Sequence, residues 1–88
     1  MDSTPKVTVA HVRELLNDHR DDPVLYVNEE GELDVWVEAH VDHHQVVVRQ
    51  HEAEEVLLPT GAGPLTDDDI DGYLPILQVE VDRIIKES

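Results

Sequence analysis

Hydrophobic residues recur along the chain with two different periods. Val9, Val12, Leu15 and Leu16 repeat at i, i+3, i+6 and i+7 behind Thr8, a good N-cap, which predicts a helix over residues 8–20. Pro23 limits it, because the proline ring disfavours helical geometry at Asp22, and Val24 to Val27 then reads as a β-rich run. Leu33, Val35, Val37, Ala39 and Val41 alternate with Asp34, Trp36, Glu38, His40 and Asp42, the period of a strand with one buried face. Between these runs, Asn28 to Glu32 suits a hairpin loop, a type I turn closed by Gly31 in the left-handed conformation. That loop pairs Val27 with Leu33 and Leu25 with Val35. A third strand is expected over residues 45–50, beside the second, with Val41 opposite Val46, Ala39 opposite Val48 and Glu38 opposite Arg49.

The acidic run Glu52 to Glu55 leads to Val56-Leu57-Leu58, a candidate short edge strand, and Pro59 to Pro64 reads as a loop. Its glycines, two apart with no following Lys-Ser/Thr, do not make a phosphate cradle. Thr66 followed by three aspartates is a helix start, with carboxylates at the positive end of the macrodipole. The stripe Ile70, Tyr73, Leu74, Leu77, Val81, Ile84 and Ile85 carries that helix to about Lys86. Pro75 lacks the N–H for the carbonyl four residues earlier, so a kink or break is expected there. The pattern as a whole predicts an α+β fold: N-terminal helix, antiparallel three-stranded meander with an optional fourth strand, and a kinked C-terminal helix. One domain spans residues 1–88, with 1–7 a flexible lead-in.

Thr8-Val9, Leu15-Leu16, Asp21-Asp22-Pro23-Val24, Gly31 and the valines after it resemble a pattern of small bacterial and phage proteins of uncharacterised function. The resemblance covers residues 8–48 and implies a helix followed by a hairpin. It brings no catalytic motif.

Charge changes the picture of the surface. Twenty-one Asp and Glu stand against six Lys and Arg, for a formal net charge of −15, yet 40% of the residues are hydrophobic, enough to build a core. In this the whole chain resembles proteins of salt-loving archaea. At about 1 M salt the Debye length is roughly 3 Å, and self-repulsion is screened. Nucleic acid is an unsuitable partner, since its phosphates call for clustered Lys and Arg, whereas a basic protein partner fits. With no cysteine there is no disulfide framework, thiolate metal site or cysteine nucleophile. The absence of an apolar signal segment or a long apolar run makes the expected location cytoplasmic, with no membrane partner.

Two groups of residues invite a functional reading. His40, Asp42, His43 and His44 surround one turn and are the candidate metal ligands, while His51 lies roughly 13 Å away on the expected register. The competing reading is a solvated surface that uses His where other proteins use Lys; on that reading no metal or other cofactor is required. No hydroxyl lies in a nucleophile motif, and paired carboxylates are too common here to mark a catalytic site, so no enzyme activity is expected. Trp36, the only tryptophan, stands on the polar face of its strand, with Val24, Tyr26, Val47 and His51 expected around it. Either a helix covers that face and Trp36 is core, or both helices lie on the valine face and Trp36 meets a second chain. The favoured expectation is a non-catalytic, salt-adapted binding or assembly module, homodimeric through Trp36. Metal binding at the His40 to His44 turn and a small enzyme with a carboxylate-lined pocket are the alternatives.

Overall fold

A computed structural model describes residues 4–57 and 65–87. Three helices, α1 (Val9–Leu16), α2 (Gln50–Leu57) and α3 (Asp67–Glu87), accompany three strands, β1 (Pro23–Val27), β2 (Leu33–Val37) and β3 (Val46–Arg49). The strands form one antiparallel sheet, giving the expected α+β arrangement.

The hairpin forms as the sequence requires. Val27 pairs with Leu33 and Leu25 with Val35, and Gly31 adopts φ of 80°, which suits a residue without a Cβ. The Asn28 side chain accepts from the backbone N–H groups of Glu30 and Glu32, both at 2.9 Å, and so holds the turn from within.

The sheet order is β2-β1-β3, so β3 lies beside β1 rather than β2 and the expected meander register is corrected. Alternation in the sequence continues to Asp42, but the strand stops at Val37 and two 3₁₀ turns follow, Glu38–His40 and His43–Gln45. These turns carry the chain round to the other edge of β1. That strand takes the centre because it is the most apolar, with Val24 and Leu25 fully buried and Val27 nearly so. The Gln45 side chain donates to the Val27 carbonyl at 2.9 Å and anchors the crossing. Glu38 and Arg49 do meet, at 3.0 Å, as a side-chain ion pair rather than as neighbours on adjacent strands.

All three helices cover one face of the sheet. Val12 and Leu15 from α1, Ala53 and Leu57 from α2, and Ile70, Tyr73, Leu77, Val81 and Ile84 from α3 join Leu25, Val27, Val35, Val47 and Val48 in a single apolar cluster. The Cα extent along the shortest axis is only 16 Å, as two stacked layers require. α3 starts at its expected cap, where Thr66 Oγ1 accepts from the Asp69 N–H and Asp69 Oδ2 accepts from the Thr66 N–H. It runs unbroken through Pro75, which faces solvent.

Several boundaries differ from the sequence expectation. α1 ends at Leu16, not residue 20, because Asp18 turns its carboxylate onto the backbone N–H of Arg20 and competes with helical bonding. Residues 50–57 form α2 where an acidic stretch and a fourth strand were expected. Ala53 and Leu57 lie one turn apart and both face the core, while the carboxylates point outward. Leu58 of that candidate strand, the Pro59 to Pro64 loop and residues 1–3 lie outside the described residues. Pro5 and Val7, expected in a flexible lead-in, are held by Gln78, whose side chain accepts from the Val7 N–H at 2.9 Å and donates to the Pro5 carbonyl at 3.0 Å.

Candidate functional site

Among the described residues every helix lies on the valine face, and none covers the opposite face of the sheet. The pairing places Val24 opposite Trp36 on one side and Arg49 on the other, and Tyr26 opposite Asp34 and Val46. Because directly opposed residues share a face, these six form the open surface. Val24 at its centre is fully buried without joining the helix-side cluster. Trp36 keeps 44% of its surface exposed, so it is not a core residue of the single chain.

Among the described residues, Trp36 has a partner from outside the sheet. Between α1 and β1 the backbone turns through Asp22, which adopts φ of 48°, a left-handed conformation that Asp tolerates better than most residues. The Asp22 carbonyl accepts from the Glu38 N–H at 2.9 Å and pins this segment to the end of β2. The segment brings the Arg20 guanidinium over the indole, 4.5 Å from the ring centroid, a cation–π contact. Asp18 orients Arg20 through its carboxylate. The hydrogen bond from Arg20 holds the Asp18 carboxyl below the usual carboxylate range, against the opposing effect of burial.

Arg49 is fixed between Glu38, at 3.0 Å, and Glu52, at 3.2 Å. Partial burial, reinforced by the charge of Asp34, raises the Tyr26 phenol above its ordinary value. This face therefore presents Trp36 and the half-buried Tyr26 over a buried Val24, within a rim of both charge signs.

Two residues expected on this face lie elsewhere. A register irregularity falls between Leu25 and Tyr26 where β1 meets β3, and the extra residue turns Val47 into the helix-side core. His51 belongs to α2 and is exposed there, because the chain leaves the sheet at Gln50. Arg20 and Arg49 are the members that sequence reasoning missed. Neither the left-handed turn that delivers Arg20 nor the β1–β3 pairing that delivers Arg49 has a local sequence signature, although Asp21-Asp22-Pro23 does mark a turn.

The candidate metal ligands separate into two groups. One ligand atom each from Asp42, His43 and His44 lie within 4.8 Å of one another, and all three residues are exposed. His40 is not among them. It stands in the preceding 3₁₀ turn and lines a depression of about 530 Å³ shared with His19, Arg20 and Asp22. No helix among the described residues is long and apolar enough to cross a membrane. No family model, curated protein or solved structure matches the chain.

Proposed function

We propose that the protein is a non-catalytic binding or assembly module of a salt-rich cytoplasm, and that it pairs with a second copy of itself through the open face around Trp36. The carrying observation is the exposure of this indole on a sheet face that no described helix covers. Aromatic residues are enriched at interface centres, and a small core gains from burying such a face. Charge favours the same location. At molar salt only charges within a few ångströms of one another count, and this face holds two of the six Lys and Arg residues, Arg20 and Arg49, beside Asp34 and Glu38. A two-fold contact sets the same patch against itself, so each arginine can approach a carboxylate of the other copy. Charge disfavours nucleic acid and leaves a basic protein surface as the competing occupant.

Mass determination by light scattering in molar potassium chloride tests the reading. Truncating a central interface aromatic typically costs about 2 kcal/mol or more of association. Trp36→Ala should therefore dissociate the dimer by about thirtyfold or more while leaving the helical circular dichroism intact, because the helix-side cluster does not include Trp36. A dimer that survives the substitution, or a chain that unfolds with it, would contradict the proposal.

A further inference from the structure

Independently of the Trp36 face, the geometry points to the Asp42-His43-His44 turn as a site for a divalent transition metal ion that favours imidazole, such as Zn²⁺ or Ni²⁺. Two imidazoles and a carboxylate suit such ions, and the lack of cysteine leaves a purely nitrogen and oxygen donor set. In a tetrahedral site with bonds of about 2.1 Å the donors stand roughly 3.4 Å apart. The observed spread of 4.8 Å or less closes to that by side-chain rotation alone, since all three residues are exposed. The His43 and His44 rings already lie side by side, 4.3 Å between centroids and tilted by 35°. Among the described residues no hydrogen bond occupies a ring nitrogen of either.

The backbone beneath the three ligands is fixed before any ion arrives. Asp42 Oδ1 accepts from the His44 N–H at 3.2 Å, which leaves Oδ2 for a metal. The Gln45 N–H donates to the Asp42 carbonyl at 2.8 Å and closes the turn. The Gln45 side chain then ties it to Val27 on the central strand at 2.9 Å. Little backbone ordering remains to be done on binding. Three protein ligands leave at least one coordination position open, as in sites that accept water or an outside ligand rather than in closed structural sites.

Calorimetric titration of the full chain with zinc alone, in molar salt at neutral pH, tests the assignment. Outer-shell partners of a metal are worth about 10- to 100-fold in affinity, so loss of a direct imidazole should weaken binding by about tenfold or more. The expected result is saturable binding that His43→Gln and His44→Gln each weaken by that factor, that Asp42→Asn also weakens, and that His40→Gln leaves unchanged. Circular dichroism of each variant should match that of the parent, because the replaced side chains are exposed. Binding no stronger than in the double variant His43→Gln/His44→Gln, or binding that His40→Gln weakens as much as His43→Gln does, would overturn the site.

Discussion

Gln50 joins two elements that share no sequence neighbourhood, and replacing it perturbs one end of a helix from outside. The last carbonyls of α1 have no partner within the helix. The Asn17 N–H reaches the Arg13 carbonyl at 2.9 Å and the Asp18 N–H reaches that of Leu15 at a longer 3.3 Å. No glycine follows to supply the left-handed cap that ends many helices. Gln50, at the start of α2, supplies the missing donor: its side-chain amide is 2.9 Å from the Leu15 carbonyl, 2.8 Å from that of Asp18 and 3.5 Å from that of Leu16. Two of these are good hydrogen bonds, each worth about 0.5–1.5 kcal/mol net, so Gln50→Ala should cost about 1–3 kcal/mol. Gln50→Glu keeps the shape but presents a carboxylate to carbonyl oxygens at the negative end of the helix dipole, adding roughly 0.3–1 kcal/mol. In a domain of this size about 1 kcal/mol moves the melting temperature by roughly 4–8 °C. Thermal melts followed by circular dichroism in molar salt should rank parent above Gln50→Ala above Gln50→Glu. Equal melting of the Gln and Glu forms would refute Gln50 as the donor that closes α1.

Two further predictions concern charge. Because the Asp18 carboxyl lies below the usual carboxylate range through its hydrogen bond from Arg20, its stabilising effect is fully present above the unfolded value near 3.9. That effect is lost only as pH falls through the lower folded value. Trp36 emission, which reports Arg20 over the ring, should hold from neutral pH down to that unfolded value and change only below it, whereas Asp18→Asn should show the changed emission throughout; a transition above the unfolded value that Asp18→Asn removes would contradict this. The four arginines pair with six carboxylates, Asp18, Glu38, Glu52, Asp67, Glu80 and Glu87, against twenty-one acids in the chain. Lowering potassium chloride from molar to about 0.1 M, where the Debye length grows to roughly 10 Å, should therefore lower the melting temperature, and an unchanged melt would remove salt adaptation as the reason for the charge.

Local signals in the sequence were reliable where a single segment decides its own structure. The hairpin register follows from Asn28 and Gly31, the start of α3 from Thr66 and Asp69, and the buried stripe of α3 from its period. What was not legible is non-local. Alternation from Leu33 to Asp42 describes a longer strand than forms, because among the described residues β1 ends opposite Val37 and no strand pairs with the stretch after it. Placing β3 next to β1 depends on burial competition among three valine-rich strands, which no single window encodes. α2 was hidden because its apolar face is only Ala53 and Leu57, too sparse to announce a helix among three glutamates and two polar residues. The site follows the same division. Val24 opposite Trp36 comes directly from the hairpin, and the clustering of Asp42, His43 and His44 from adjacency in one turn. Arg49 and the displacement of Val47 come from the β1–β3 pairing, which tertiary competition sets.

Trp36 reports directly on the proposed contact between copies, because it is the only tryptophan in the chain. Its emission maximum should be followed in molar salt from nanomolar to high micromolar protein, alongside the mass by light scattering. Pairing through this face should shift the maximum to shorter wavelength as the indole leaves water, over the same concentration range in which the mass doubles from 10.0 kDa. An emission maximum and a monomer mass that both stay constant to high micromolar concentration would contradict it.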